Sequence, residues 1–131
     1  MDKVCVIGCW HQGVVGAACL ADLGCDVLGA DHDRARAESL AAGKAPLYEP
    51  GLDDLLRKGL QSGRLHFTRD VAGAVKGRPF VLLMFDTPVD ENDRSDLSEI
   101  FATAAEIAPH LESGVVIWVT AQVPVGTCDR I

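Results

Sequence analysis

The chain has 131 residues, enough for one domain that buries roughly two-thirds of the surface its unfolded form exposes. Hydrophobic residues make up 48% and charged residues 24%, an ordinary globular balance that excludes a disordered chain. A net charge of −7 excludes simple electrostatic capture of nucleic acid or an anionic membrane, so a polyanionic ligand needs a local device such as a helix N-terminus.

Residues 3–8, KVCVIG, are rich in β-branched side chains and predict a buried strand. From His11 to Leu23 the small and apolar residues Val14, Val15, Ala17, Ala18, Leu20 and Ala21 suit a helix packed closely on a sheet. Gly24 supplies its stop. DVLGAD, 26–31, is a second strand that ends in Asp31. A helix over 33–42 follows, with Arg34, Arg36 and Glu38 outside and Ala37, Leu40 and Ala41 inside. Pro50–Gly51 breaks the chain before an amphipathic helix from Leu52 to Leu60, which Gly63 closes. LHF, 65–67, is a brief strand, and DVAGAVK, 70–76, a short helix. PFVLLMF, 79–85, is the most apolar run and the best candidate for a central parallel strand. The segment 95–111 reads as a helix capped by Ser95 or Asp96. GVVIWV, 114–119, is the last strand, with Trp118 expected in the core, and PVGTCDRI reads as the opening turn of another helix.

Helices alternate with strands that are apolar throughout. This predicts an α/β fold, a Rossmann-type doubly wound parallel sheet in a single three-layer domain over residues 1–131. The first strand is expected near the middle, with ligands above the carboxyl ends of the strands. The expectation is also that these residues are the N-terminal part of a longer polypeptide.

The turn VIGCWHQGVVG carries the chemistry. Gly8 ends the first strand, Gly13 sits in the first helical turn, and Asp31 closes the second strand 23 residues after Gly8. A strand–turn–helix of this kind presents free N–H groups and a positive helix end to a pyrophosphate, and the acid receives ribose hydroxyls. Asp31 would also repel a 2′-phosphate, which favours NAD over NADP. Trp10 stands where such a turn carries a second glycine, the residue that lets the backbone approach the phosphates. Two outcomes stay open: the indole turns outward and leaves the N–H groups usable, or it fills the phosphate space. Gln12, and His11 when protonated, are donors that offset part of the loss.

Beyond the turn, GADHD, APLYEPGLDDLL, GRLHFTRD, DTPVDENDRSDLS and VPVGT, spread over essentially the whole chain, resemble the N-terminal NAD-binding domain of the UDP-glucose/GDP-mannose dehydrogenases. YEPGLDDLL and VPVGT, at their separation, are the most specific of these motifs. The resemblance implies two successive hydride transfers from a sugar C6 alcohol to NAD, giving a uronic acid through a cysteine-linked thioester. By position it implies His11 and Gln12 as backbone donors to the pyrophosphate, and Asp31 as the ribose acid. It further implies Arg36 beside that ribose and Thr87 beside the cofactor. Gln122 falls where the family has a threonine near the nicotinamide.

Three stretches, four residues in all, depart from the family's pattern. Trp10 and Asp86 replace glycines, and Ala121–Gln122 replaces Ser–Thr. Asp86 puts a second carboxylate near the adenosine side. The family's catalytic cysteine, and the lysine and asparagine that assist it, match no position here, so the 131 residues are not expected to turn over alone.

Other features have plainer readings. The cysteines at 5, 9, 19, 25 and 128 form no secreted disulfide framework. Cys5 is expected in the sheet core, and Cys9 with His11 lacks the convergent set a metal needs. Cys128 is expected to be an ordinary helix cysteine. Glu49 is expected to pair locally in the YEPG loop, and 90–96 to be a solvated loop plus a helix cap, since it lacks calcium-loop spacing. His32, His66 and His110 take surface or capping roles by default. MDKVCVIG does not read as a signal peptide and no run approaches the roughly 20 apolar residues of a membrane helix. The expected location is therefore the cytoplasm.

The leading reading is an NAD-binding domain whose cofactor residues are Gly8, Trp10, His11, Gln12, Gly13, Asp31, Arg36, Thr87 and Gln122, with no metal. Its partners would be NAD and, in a full-length parent, a UDP- or GDP-sugar and the C-terminal domains. The alternative is a non-catalytic nucleotide-binding or regulatory Rossmann domain that has lost productive NAD binding.

Overall fold

Five parallel strands organise the chain in a computed structural model that describes residues 1–131. They are β1 (Lys3–Ile7), β2 (Asp26–Ala30), β3 (Leu65–Thr68), β4 (Phe80–Leu83) and β5 (Val116–Val119). The order across the sheet is β3-β2-β1-β4-β5. The chain therefore steps outward twice, returns to the far side of β1 and steps outward again. This is a doubly wound α/β sheet, and the direction reverses between β1 and β4, where Ile7 pairs with Leu83.

Helices α1 (His11–Asp22) and α3 (Leu52–Gln61) cover one face. The core there joins Val4, Val6 and Val27 to Val14, Ala17, Ala18, Ala21, Leu52 and Leu56. Alanines at 17, 18 and 21 let α1 lie close on the sheet, as its small-residue pattern predicts. Helices α4 (Val71–Ala74) and α5 (Ser98–Ile107) cover the other face, burying Cys5, Ile7, Val81 and Leu83 against Val71, Val75, Ile100 and Ile107. At the amino ends of the strands, Arg78 donates to the carbonyls of Val4 (3.1 Å) and Asp26 (2.8 Å). Short helix α2 (Arg34–Ala41) is capped by Asp33, whose carboxylate accepts from the Arg36 amide.

Several expectations need correction. Trp118 is 65% exposed rather than in the core. Strand β5 is the sheet edge, and its residues on the α1 side, Val116 and Trp118, share an uncovered face with Phe80. Ala41 is exposed, because the helix is already ending, while Arg36 is half-buried rather than outside. Helix α5 begins at Ser98, later than either proposed cap. Ser95 instead bridges Val89, the Asp96 amide bonds the Pro88 carbonyl, and the Asp96 carboxylate accepts from the Ser98 amide. Asp90 gathers the amides of Arg94 and Asn92, and these bonds hold its carboxyl below the usual range. Cys128 lies in an exposed 3-10 turn, Cys128–Arg130.

Candidate functional site

The reversal point of the sheet places three turns side by side: the one after β1, the one after β2 and the one after β4. In the first, Gly8 adopts φ +89°, open to glycine and strained for other residues. A Cβ there would lie 2.8 Å from the Phe85 ring, and a Cβ on Gly13 would run into the Gly8 carbonyl oxygen. Both glycines are thus required by the turn itself. The first intrahelical bond of α1 runs from the Val14 amide to the Trp10 carbonyl. The amides of His11, Gln12 and Gly13 precede it and point from the helix end as unsatisfied donors.

Asp31 is the fastening of this corner. It is only 6% exposed, and its carboxylate accepts from the amides of Cys9 (2.8 Å) and Asp33 (2.9 Å) and from Arg36 Nη1 (2.9 Å). Three of its roughly four acceptor positions are therefore already used within the chain. Partial burial works against the Arg36 charge. The hydrogen bond and field of Asp31, with Asp33 behind, more than offset it and hold the guanidinium above its ordinary range. The guanidinium lies 5.0 Å from the centroid of the Trp10 ring, a cation–π stack. The Trp10 ring thus lies against the Arg36 guanidinium, with 41% of the residue exposed, and makes no capping hydrogen bond to α1.

Cys9 is fully buried beneath the turn, its Sγ 3.6 Å from the carbonyls of Val6 and Ala30. Burial pushes its thiol far up, and the Asp31 charge adds to the effect. Burial likewise pushes Cys5 up to about 12. Neither is a nucleophile at neutral pH.

Two clefts open along this edge. The first, about 320 Å³, is lined by Gly8, Trp10, Arg36, Phe85, Asp86 and Glu99, with Met84 and Pro88 completing its wall. The second, about 220 Å³, is lined by Gln12, Phe85, Asp86, Thr87, Thr120, Ala121 and Gln122. Trp10 thus lines the first cleft and Gln122 the second. The Thr87 hydroxyl is buried without a hydrogen-bond partner, whereas Thr120 donates to the Leu83 carbonyl. Phe85 and Asp86 belong to both clefts. Glu99 and Phe85 were not singled out from the sequence: Glu99 sits in the first turn of a helix, and only the β4–α5 connection brings it here.

His11 Nε2 lies 3.2 Å from a Glu49 carboxylate oxygen, so Glu49 pairs across 38 residues rather than locally. That contact ties the YEPG loop to the start of α1. Tyr48 beside it is 87% exposed. His32 pairs with Glu106 at 2.7 Å on the surface. None of the five cysteines lines either cleft.

The sequence comparison agrees with this architecture. The model of the UDP-glucose/GDP-mannose dehydrogenase family, NAD binding domain, matches residues 2–131. UDP-glucose 6-dehydrogenase of Rhizobium meliloti (strain 1021) is 39% identical over 130 residues, which are 98% of this chain and 30% of that protein. GDP-mannose 6-dehydrogenase of Pseudomonas syringae pv. tomato is 34% identical over 105 residues, 80% of this chain and 24% of its own length. Among solved structures, a ternary complex of GDP-mannose dehydrogenase from Pseudomonas aeruginosa superposes with a TM-score of 0.90 at 30% identity. That match covers 100% of this chain and 30% of the other. A UDP-D-ManNAc dehydrogenase from Pyrococcus horikoshii gives 0.91 at 26% identity, covering 98% of this chain and 30% of its own. The chain thus spans about 30% of the length of such relatives. With turn, acid and topology in agreement, it belongs to the UDP-glucose/GDP-mannose dehydrogenase family, as its NAD binding domain.

Proposed function

We propose that this domain holds NAD across the two clefts, adenosine in the first and nicotinamide in the second, with the pyrophosphate at the N-terminus of α1. One observation carries the reading: the unsatisfied amides of His11, Gln12 and Gly13 lie between two open clefts at the sheet's reversal point. Gly8 and Gly13 shape the turn, and Asp31 has about one acceptor position left for a ribose hydroxyl. Arg36 and Trp10 supply a flat wall for the adenosine half. Thr87, with its buried unpartnered hydroxyl, and Gln122 offer polar atoms to the nicotinamide half. When bound, NAD supplies a hydride-accepting ring, and this chain's part is to orient it.

In a full-length relative the substrate would be the C6 alcohol of a UDP- or GDP-sugar, oxidised with groups that these 131 residues do not contain. A second reading, a nucleotide-binding or regulatory domain without hydride transfer, is favoured by Trp10. Its indole occupies a wall where a glycine would leave the backbone bare.

Calorimetric titration separates the two. Wild type is expected to bind NAD at micromolar to sub-millimolar strength, about −5 to −8 kcal/mol, and NADP more weakly. Loss of NAD binding in wild type, with recovery in Trp10→Gly, would remove the dehydrogenase reading and leave the second.

A further inference from the structure

Asp86 occupies a position that the NAD reading does not by itself explain. It lines both clefts, so a ligand that fills both must pass it. Trp10 shares the first cleft with it and Gln12 the second, and these residues belong to the start of α1. The passage between the clefts therefore runs past both Asp86 and the N-terminus of α1.

The charges around this passage do not compensate. Asp86 and Glu99 are exposed, and none of the ion pairs of the fold includes either. The two basic groups at hand are engaged elsewhere: Arg36 with Asp31 at 2.9 Å and His11 with Glu49 at 3.2 Å. A dianionic bridge thus meets one attractive device, the helix end, and one repulsive one.

We propose that Asp86 sets the affinity of this site by ligand charge: its carboxylate opposes the pyrophosphate, leaves the uncharged adenosine end unaffected and does not oppose the cationic nicotinamide ring. The proposal rests on the NAD reading and adds the residue that tunes it. Because Asp86 is exposed, its charge acts chiefly on the association rate and its salt dependence.

The test compares wild type, Asp86→Asn and Asp86→Glu by calorimetry and by stopped-flow tryptophan fluorescence, after thermal melts confirm equal folding. Ligands are NAD and ADP-ribose, which carry the bridge, and adenosine, which does not. In low salt, Asp86→Asn is expected to bind ADP-ribose about 3- to 30-fold tighter, with a smaller gain for NAD because its nicotinamide ring is a cation that the carboxylate attracts; both gains shrink at high ionic strength. Adenosine affinity is expected to stay within about twofold, and Asp86→Glu to behave like wild type, because charge rather than shape is at issue. Equal ADP-ribose affinity in wild type and Asp86→Asn would overturn the proposal while leaving the NAD reading intact, as would weaker ADP-ribose binding by Asp86→Asn. Failure of all three proteins to bind NAD or ADP-ribose would overturn the reading and the proposal together.

Discussion

Replacing Asp31 by alanine tests whether this acid is first a structural fastening and only then a ligand group. The substitution removes three hydrogen bonds at once. The Cys9 amide sits on a residue that is fully buried, so water does not replace its lost acceptor, and such an orphan costs about 1–3 kcal/mol. The Asp33 amide belongs to an exposed residue and rehydrates, adding a smaller loss. Arg36, 27% exposed at its side chain, loses a buried partner but keeps Asp33 at 3.8 Å. Together these give about 3–5 kcal/mol, in the range for breaking a buried pair. That is a large part of a typical domain's 5–15 kcal/mol. Asp31→Asn keeps one acceptor oxygen and is expected to lose about half as much. Urea unfolding followed by circular dichroism measures this as a fall in midpoint at constant slope. A loss below about 1 kcal/mol for Asp31→Ala would show that the network around Asp31 contributes little, and would return the residue to a purely ligand-binding role.

Two further outcomes follow from burial. Trp118→Ser is expected to change stability by less than about 1 kcal/mol, against the 3–5 of a core aromatic, because the ring is 65% exposed; a core-sized loss in thermal melts would place the ring under cover. The thiols of Cys5 and Cys9 titrate well above their ordinary value of 9.0, whereas in the unfolded chain they ionise near it. The native state therefore keeps protons that the unfolded state releases, so this contribution is whole below about pH 9 and declines as pH rises toward 12. The slope is about 1.4 kcal/mol per thiol per pH unit. Urea midpoints at pH 8 and pH 10.5 check it, and Cys5→Ala should flatten the slope; a stability that does not fall over that window would refute the linkage.

The order of elements was legible because parallel strands buried on both faces leave continuous apolar runs, and because glycines at 24 and 63 mark helix ends with positive φ. What stayed hidden was position within the sheet. VVIWV reads the same whether it lies inside a sheet or at its edge, and only the order β3-β2-β1-β4-β5 leaves Trp118 uncovered. The start of α5 was misplaced for a similar reason. Ser95 and Asp96 have the chemistry of caps, and the Asp96 carboxylate does accept from the Ser98 amide, yet the bridge of Ser95 to Val89 and the bond of the Asp96 amide to the Pro88 carbonyl hold their backbone outside the helix. The pairing of His11 with Glu49 joins residues 38 apart, beyond any local pattern.

Within the turn itself, the three glycine positions answer to different demands. At 8 and 13 the fold decides: one has φ +89° and faces Phe85, and the other has no room for a Cβ beside the Gly8 carbonyl. At 10 the backbone φ is −80°, outside the left-handed region that favours glycine, and a ligand's close approach is the reason such a turn carries glycine there. The fold accommodates a tryptophan at 10 with its ring against Arg36, and the residue lines the first cleft. Asp86 follows the same logic, since it is exposed on a loop and bears on no core contact. Trp10 and Asp86 thus lie on the walls of the proposed cleft and outside the core. Family membership is carried by the fold and by glycines the turn requires, and these stand beside cleft residues that depart from the family pattern.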